Sequence, residues 1–149
     1  MRKITLKSFL EKQGFQKTAL SVNKAGHFEL KLKLNGKYAR FILDTGASHT
    51  VVDAAAAEKY SVTAGSRKGK KAGGLGTTGL ETKVSKDNTI EISKVKLNGQ
   101  KLVLLDLTHV NLSLENNGSE NVIGIIGADI LKKKSAVIDY KGRALFLKQ

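Results

Sequence analysis

The chain contains no cysteine, which excludes structural disulfides, thiol nucleophiles and cysteine-ligated zinc. Histidine is nearly as scarce. His27, His49 and His109 have no close spacing and no His–Glu pairing, so a metal site is not expected. No stretch approaches the roughly 20 apolar residues that a membrane-spanning helix needs. The N-terminal MRKITLKSFLEKQG starts basic, but Lys7, Glu11 and Lys12 break up the run of about 7–15 apolar residues that a secretory signal requires. A cytoplasmic protein is the default expectation.

Arginine and aromatics are also sparse. The 26 basic residues are 22 lysines and four arginines, and aromatics amount to 5%. A formal net charge of +13 raises nucleic acid as a partner. Forked phosphate recognition leans on arginine and base stacking on aromatics, however, so dispersed lysine reads as a solvated surface. A basic nucleic-acid-binding β-domain is retained only as a remote alternative.

What remains is an ordinary globular composition: 149 residues, 40% of them hydrophobic, enough for one domain with one core. Most of it reads as strands. Phe28, Leu30, Leu32 and Leu34 alternate with Glu29, Lys31, Lys33 and Asn35, the period of a half-buried strand. Asn35-Gly36 supplies a hairpin turn, because both residues tolerate positive φ. KLNGKYARFILD (33–44) aligns without gaps to KLNGQKLVLLDL (96–107), which suggests a second copy of that hairpin. A third hairpin is expected in AVIDYKGRALFL, turning around Lys141-Gly142. Short helices are expected near the N-terminus, with Ser8 and Glu11 as a capping box and Gly14 as the stop, and at DAAAAEKY (53–60) and ADILKKK (128–134). The glycine- and lysine-rich 66–83 and the polar LENNGSEN (114–121) read as loops.

Two motifs bear on chemistry. Gly74-Leu75-Gly76-Thr77-Thr78-Gly79 is a literal G-x-G-x-x-G, yet it lacks the buried strand before and the helix after that a dinucleotide site requires. Asp44 is different. It follows the apolar Phe41-Ile42-Leu43 directly and opens a loop of small residues, Thr45, Gly46, Ala47 and Ser48. A plain Asx turn has the same composition. But Gly46 permits close backbone approach, backbone N–H groups of such a loop can orient the carboxylate, and Thr45 offers a hydroxyl to a neighbouring chain.

FILDTGASHTVV resembles the active-site loop of aspartic peptidases, and its single copy resembles the retroviral-type, retropepsin-like group. Two further segments fit in order. AGGLGTTGLETK (72–83), with Gly73, Gly74, Leu75, Gly76, Thr77, Thr78 and Gly79, resembles the flap that folds over substrate. VIGIIGADIL (122–131), with Ile125, Ile126 and Gly127, resembles the apolar-apolar-Gly segment behind the active-site loop. The resemblance covers residues 28–149 and leaves 1–27 as an N-terminal extension with a short helix and a possible first strand. It implies an all-β, closed β-barrel with one or two short helices, a single lobe that dimerises, and an endopeptidase that takes extended peptide.

The chemistry accounts for the single motif. Hydrolysis by this route needs two carboxylates about 3 Å apart sharing one proton, one acting as base and the other as acid. Asp53, Asp87, Asp106, Asp129 and Asp139 lack the loop context; Asp53 suits a helix cap and Asp129 a first helical turn. One Asp44 per chain therefore implies a homodimer with the site on its two-fold axis. The resemblance assigns Thr45 to bracing the opposite loop. Retroviral members close the dimer with terminal strands, for which GRALFLKQ (142–149) is the available segment here. A retropepsin-fold dimer that binds peptide without cutting would keep every motif.

Overall fold

The computed structural model describes residues 2–65 and 82–149. Alternating leucines in Phe28–Leu34 (β3) point into the core, and the Asn35-Gly36 turn returns the chain as Lys37–Leu43 (β4). Both turn residues have positive φ, 48° and 85°, as this tight hairpin requires. The far end of β4, Phe41-Ile42-Leu43, is buried, as its apolar run predicts.

Val51–Asp53 (β5), Lys83–Ile92 (β6), Val95–Leu105 (β7) and Gly124–Ile126 (β8) complete a barrel. Its order is β3-β4-β8-β5-β7-β6, and a β6–β3 pairing closes it. The pairings β4–β8 and β5–β7 are parallel and the others antiparallel. The short Ser21–Val22 (β2) hangs on the outer side of β3. The interior is filled by Leu30, Leu32, Leu34, Phe41, Ile90, Ile92, Leu102 and Ile126. Closure removes sheet edges and buries one face of every strand, so the all-β expectation holds.

Beneath the barrel lies a second, three-stranded sheet. Phe15–Ala19 (β1), Ala144–Lys148 (β10) and Val137–Asp139 (β9) pair antiparallel in the order β1-β10-β9. The expected turn after β9 forms at residues 140–143, with the Asp139 carboxylate accepting the Gly142 N–H at 2.9 Å. β10 has neighbours from its own chain on both edges. The C-terminal segment therefore has no open edge to offer a partner, contrary to the expectation for GRALFLKQ. Leu6–Lys12 (α1) packs Leu10 onto Ala144 and Phe146 of this sheet.

Four expectations change in detail. The cap of α1 is Thr5, which exchanges hydrogen bonds with Ser8; Ser8 occupies the third helical position rather than the cap. DAAAAEKY forms one 3₁₀ turn, Ala54–Ala56, capped by Asp53, because Ser61 at φ 54° soon redirects the chain. Thr108–Asn116 (α2) runs into LENNGSEN (114–121), expected as a loop, and begins in 108–113, where the sequence pattern indicates no element. Thr108, Asn111 and Ser113 are weak helix formers, and what holds the helix is burial of Leu114 and the Asn111 side chain, which bridges to Val122. Finally, the second KLNG is not a turn. The chain reverses at Ser93-Lys94, while Asn98-Gly99 lies inside β7, where Gly99 at φ 63° serves a register irregularity opposite Asn88–Ile90.

Candidate active site

Asp44 is the first residue beyond β4, and β8 runs parallel beside that strand with Leu43 opposite Ile126. The Asp44 N–H donates to the Ile126 carbonyl at 3.0 Å, which ties the start of the loop to the sheet. The loop then turns back on its own carboxylate. The Gly46 N–H donates to Asp44 Oδ1 at 2.8 Å, and the Ala47 N–H to the Asp44 carbonyl at 3.3 Å. A Cβ on Gly46 would lie 3.2 Å from that same Oδ1, so the glycine keeps the approach open. Asp44 is half-buried, Thr45, Gly46 and Ser48 face solvent, and Ala47 is buried with Ile42, Val51 and Ile125. Ser48 Oγ lies 2.9 Å from His49 Nδ1 at the loop's outer side.

β8 passes between β4 and β5, so Ile125 faces Ile42 on one side and Val51 on the other. All three residues of β8 are buried. The structure thus brings Ile125, Ile126 and Gly127 against the loop that carries Asp44, Thr45, Gly46, Ala47 and Ser48. Gly127 is required by close packing: a Cβ there would lie 2.6 Å from the His49 carbonyl and 2.8 Å from that of Ala47. Ala128–Lys133 (α3) starts immediately after it, and the Ala128 N–H donates to the Ala47 carbonyl at 2.7 Å. The flap expected at residues 73–79 lies outside the described residues.

Sequence reasoning missed the pair that braces the back of this loop. The fully buried Thr50 accepts the Gly127 N–H at 3.1 Å and donates its hydroxyl to Asp129 Oδ1 at 2.8 Å. Asp129 does occupy the first turn of α3, as expected, but it also links the helix to the loop. Nothing in a lone Thr and an Asp 79 positions apart signals such a contact. Gly124 was also missed as a packing residue, although a Cβ there would come within 2.5 Å of the Phe41 ring.

In front of Asp44 opens a cleft of about 420 Å³. Asp44 and Thr45 form one wall; Phe28, Ile138 and Tyr140 contribute apolar surface, and His27 and Arg143 bring basic side chains. Among the described lining residues Asp44 is the one carboxylate. One carboxylate can act as a base or as an acid, but not as both at the same moment.

Comparison with known proteins gives one consistent picture. A family model described as aspartyl protease matches residues 30–130. No curated protein matches the sequence. Among solved structures, the fold is similar to a retropepsin-like aspartic protease from Rickettsia conorii, at TM-score 0.59 and 17% identity over 89% of each chain. It is also similar to EIAV protease complexed with the inhibitor HBY-793, at TM-score 0.54 and 19% identity over 76% of this chain and 92% of that one. The retroviral protease-like domain of Ddi1 from Leishmania major matches at TM-score 0.53 and 16% identity, over 85% and 90% respectively.

Proposed function

The chain belongs to the aspartyl protease family, in its retropepsin-like form, and from that premise we propose that it is an endopeptidase whose site is a pair of Asp44 carboxylates from two copies of the chain. The observation that carries this reading is the setting of Asp44. It stands at a buried strand end, held by the Gly46 N–H and the Ile126 carbonyl, and it faces a cleft with no other carboxylate among its described lining residues. Paired across a two-fold axis about 3 Å apart, two such groups cannot both ionise, and they hold one proton between them. The ionised member takes a proton from water, the resulting hydroxide attacks the scissile carbonyl, and the protonated member supplies the proton that the departing amine needs.

The surroundings support these roles. Thr45, exposed next to Asp44, would brace the partner's loop. Gly46, Ala47 and Ser48 keep the loop narrow, and Ile125, Ile126 and Gly127 hold it from behind. Peptide would bind extended, as an added strand. No metal or organic cofactor enters the mechanism. The test is digestion of a peptide library at mildly acidic pH by wild type and by Asp44→Asn. Cleavage by wild type and loss of cleavage in a folded Asp44→Asn protein support the proposal. Equal inertness of both across the pH range would instead favour a peptide-binding module without chemistry.

A further inference from the structure

Resting on the reading that the Asp44 cleft takes peptide, we propose that Arg143, with His27 in the same cleft, selects peptides that carry a carboxylate, held by the Arg143 guanidinium. The inference starts from charge. The cleft of about 420 Å³ has Asp44 as its one carboxylate among the described lining residues, and Arg143 and His27 as its basic side chains. Arginine is scarce here, four residues against 22 lysines, so Arg143 stands apart from the general lysine surface. Arg40 shows how this fold satisfies an arginine of its own: the guanidinium meets Glu29 at 3.1 Å and Glu120 at 2.6 Å. Arg143 has no such ion pair among the described residues, and neither has His27. The carboxylate of the same turn, Asp139, accepts the Gly142 N–H at 2.9 Å instead.

The backbone beneath each basic group is fixed. Arg143 has φ 48°, a left-handed conformation that glycine would adopt more easily, yet the position carries a long cationic side chain. Its carbonyl accepts the Leu20 N–H at 2.8 Å, and the next residue, Ala144, pairs with Ala19 of β1. His27 ends a turn that Asn23 closes twice. The His27 N–H donates to Asn23 Oδ1 at 3.0 Å, and the Asn23 N–H donates to the His27 carbonyl at 2.9 Å. Asn23 is held in its turn by the buried Glu29, at 2.9 Å. Groups on such supported turns can discriminate between ligands, because little of their position has to be found on binding.

Chemistry names the ligand. A guanidinium offers parallel N–H groups that match the two oxygens of a carboxylate, and the resulting hydrogen bonds are charge-assisted. An unmodified peptide presents that anion as an Asp or Glu side chain or as its C-terminus. Facing Asp44 alone, either would be repelled; Arg143 reverses the sign of that interaction.

The test reads binding, so that it does not depend on turnover. Fluorescently labelled decapeptide pools, each with one position fixed as Glu or as Gln, are titrated into wild type, Arg143→Gln, Arg143→Glu and Lys141→Gln. Every pool is made as the free acid and as the C-terminal amide, and circular dichroism is the folding control. Lys141 belongs to the same turn but not to the cleft lining, so its variant reports on generic charge. Wild type and Lys141→Gln are expected to bind the Glu pool about tenfold more tightly than the Gln pool at one position. That ratio should fall to about one in Arg143→Gln and invert in Arg143→Glu. A preference for free acid over amide that shows the same dependence on Arg143 assigns the carboxylate to the peptide's C-terminus. Wild type that binds all pools equally, or none, overturns the proposal. So does a preference that survives Arg143→Gln or is lost equally in Lys141→Gln. Sedimentation of the same variants covers the competing role: a dimer weakened by Arg143→Gln, with no preference among peptides in wild type, gives Arg143 to the partner subunit instead. Cleavage of the same pools decides the Asp44 reading separately, since a protein that discriminates but cuts nothing keeps the selection and loses the peptidase.

Discussion

At the scale of single residues, the Asp44 loop depends on a close approach and a buried hydrogen-bond bridge that tolerate little change. Gly127→Ala places a methyl group 2.6 Å from the His49 carbonyl. The backbone must move, and overpacking of this kind costs about 1–3 kcal/mol. We expect urea denaturation to show that loss, together with reduced peptidase activity. Thr50→Val keeps the shape but deprives the Gly127 N–H of its acceptor and Asp129 of one of its donors. Leaving a buried N–H unpaired costs on the order of 1–3 kcal/mol, which the same denaturation series reads. Asp106 provides an electrostatic check away from the site. The Thr108 hydroxyl and N–H both donate to its carboxylate and lower its pKa below the ordinary aspartate value. With the folded value depressed, the contribution is present above the unfolded pKa and lost as pH falls through the folded one. NMR titration should place the Asp106 midpoint below that of a Thr108→Ala variant.

At the scale of elements, two glycines of the same four-residue phrase serve different ends. Gly36 closes a hairpin at φ 85°, and Gly99 accommodates an irregularity within β7 at φ 63°. Both conformations disfavour a branched side chain, so Gly36→Val and Gly99→Val should each destabilise the fold by about 1 kcal/mol or more in thermal unfolding. That pair marks the limit of what the sequence reveals. The local pattern showed that glycine was needed at both places, while the position of Gly99 inside β7 was set by pairing across the Ser93-Lys94 reversal, Ile90 with Leu97 and Asn88 with Gln100. β3 and β4 were legible because Leu30, Leu32 and Leu34 alternate and Asn35-Gly36 is a strong turn. The helix α2 was not, because Leu114 and the Asn111–Val122 bridge stabilise it through tertiary contacts rather than propensity. Likewise Asp44, Gly46 and Gly127 could be read from one local motif each, whereas Thr50–Asp129 could not. The ion pair of Arg40 with Glu29 belongs to the same class: a glutamate on the polar side of β3 is 3% exposed, held by Arg40 at 3.1 Å and by Asn23 at 2.9 Å. Arg40→Met would strip a buried carboxylate of its cation, and since Arg40 is itself partly exposed we expect a loss of about 2 kcal/mol in denaturant titration.

At the scale of the whole molecule, the proposed mechanism makes the folded chain one half of a catalytic unit. The barrel fixes one carboxylate at a strand end, and the small sheet pairs β10 on both sides, with no strand on the second edge of β9 among the described residues. No helix among the described residues is long and apolar enough to cross a membrane. The charge of +13 predicts weak, sequence-blind attraction to polyanions that salt readily removes, which a titration of DNA binding against ionic strength can measure. The central claim is that catalysis needs Asp44 from two chains, and subunit mixing tests it most directly. A fixed amount of wild type is co-denatured with a nine-fold excess of Asp44→Asn and refolded, and peptide cleavage is measured against wild type refolded with inert protein. Random pairing leaves few dimers with two intact carboxylates, so activity should fall to roughly one tenth. Activity that stays at the level of the wild-type control would mean that each chain cuts alone, and the paired-carboxylate account would be wrong.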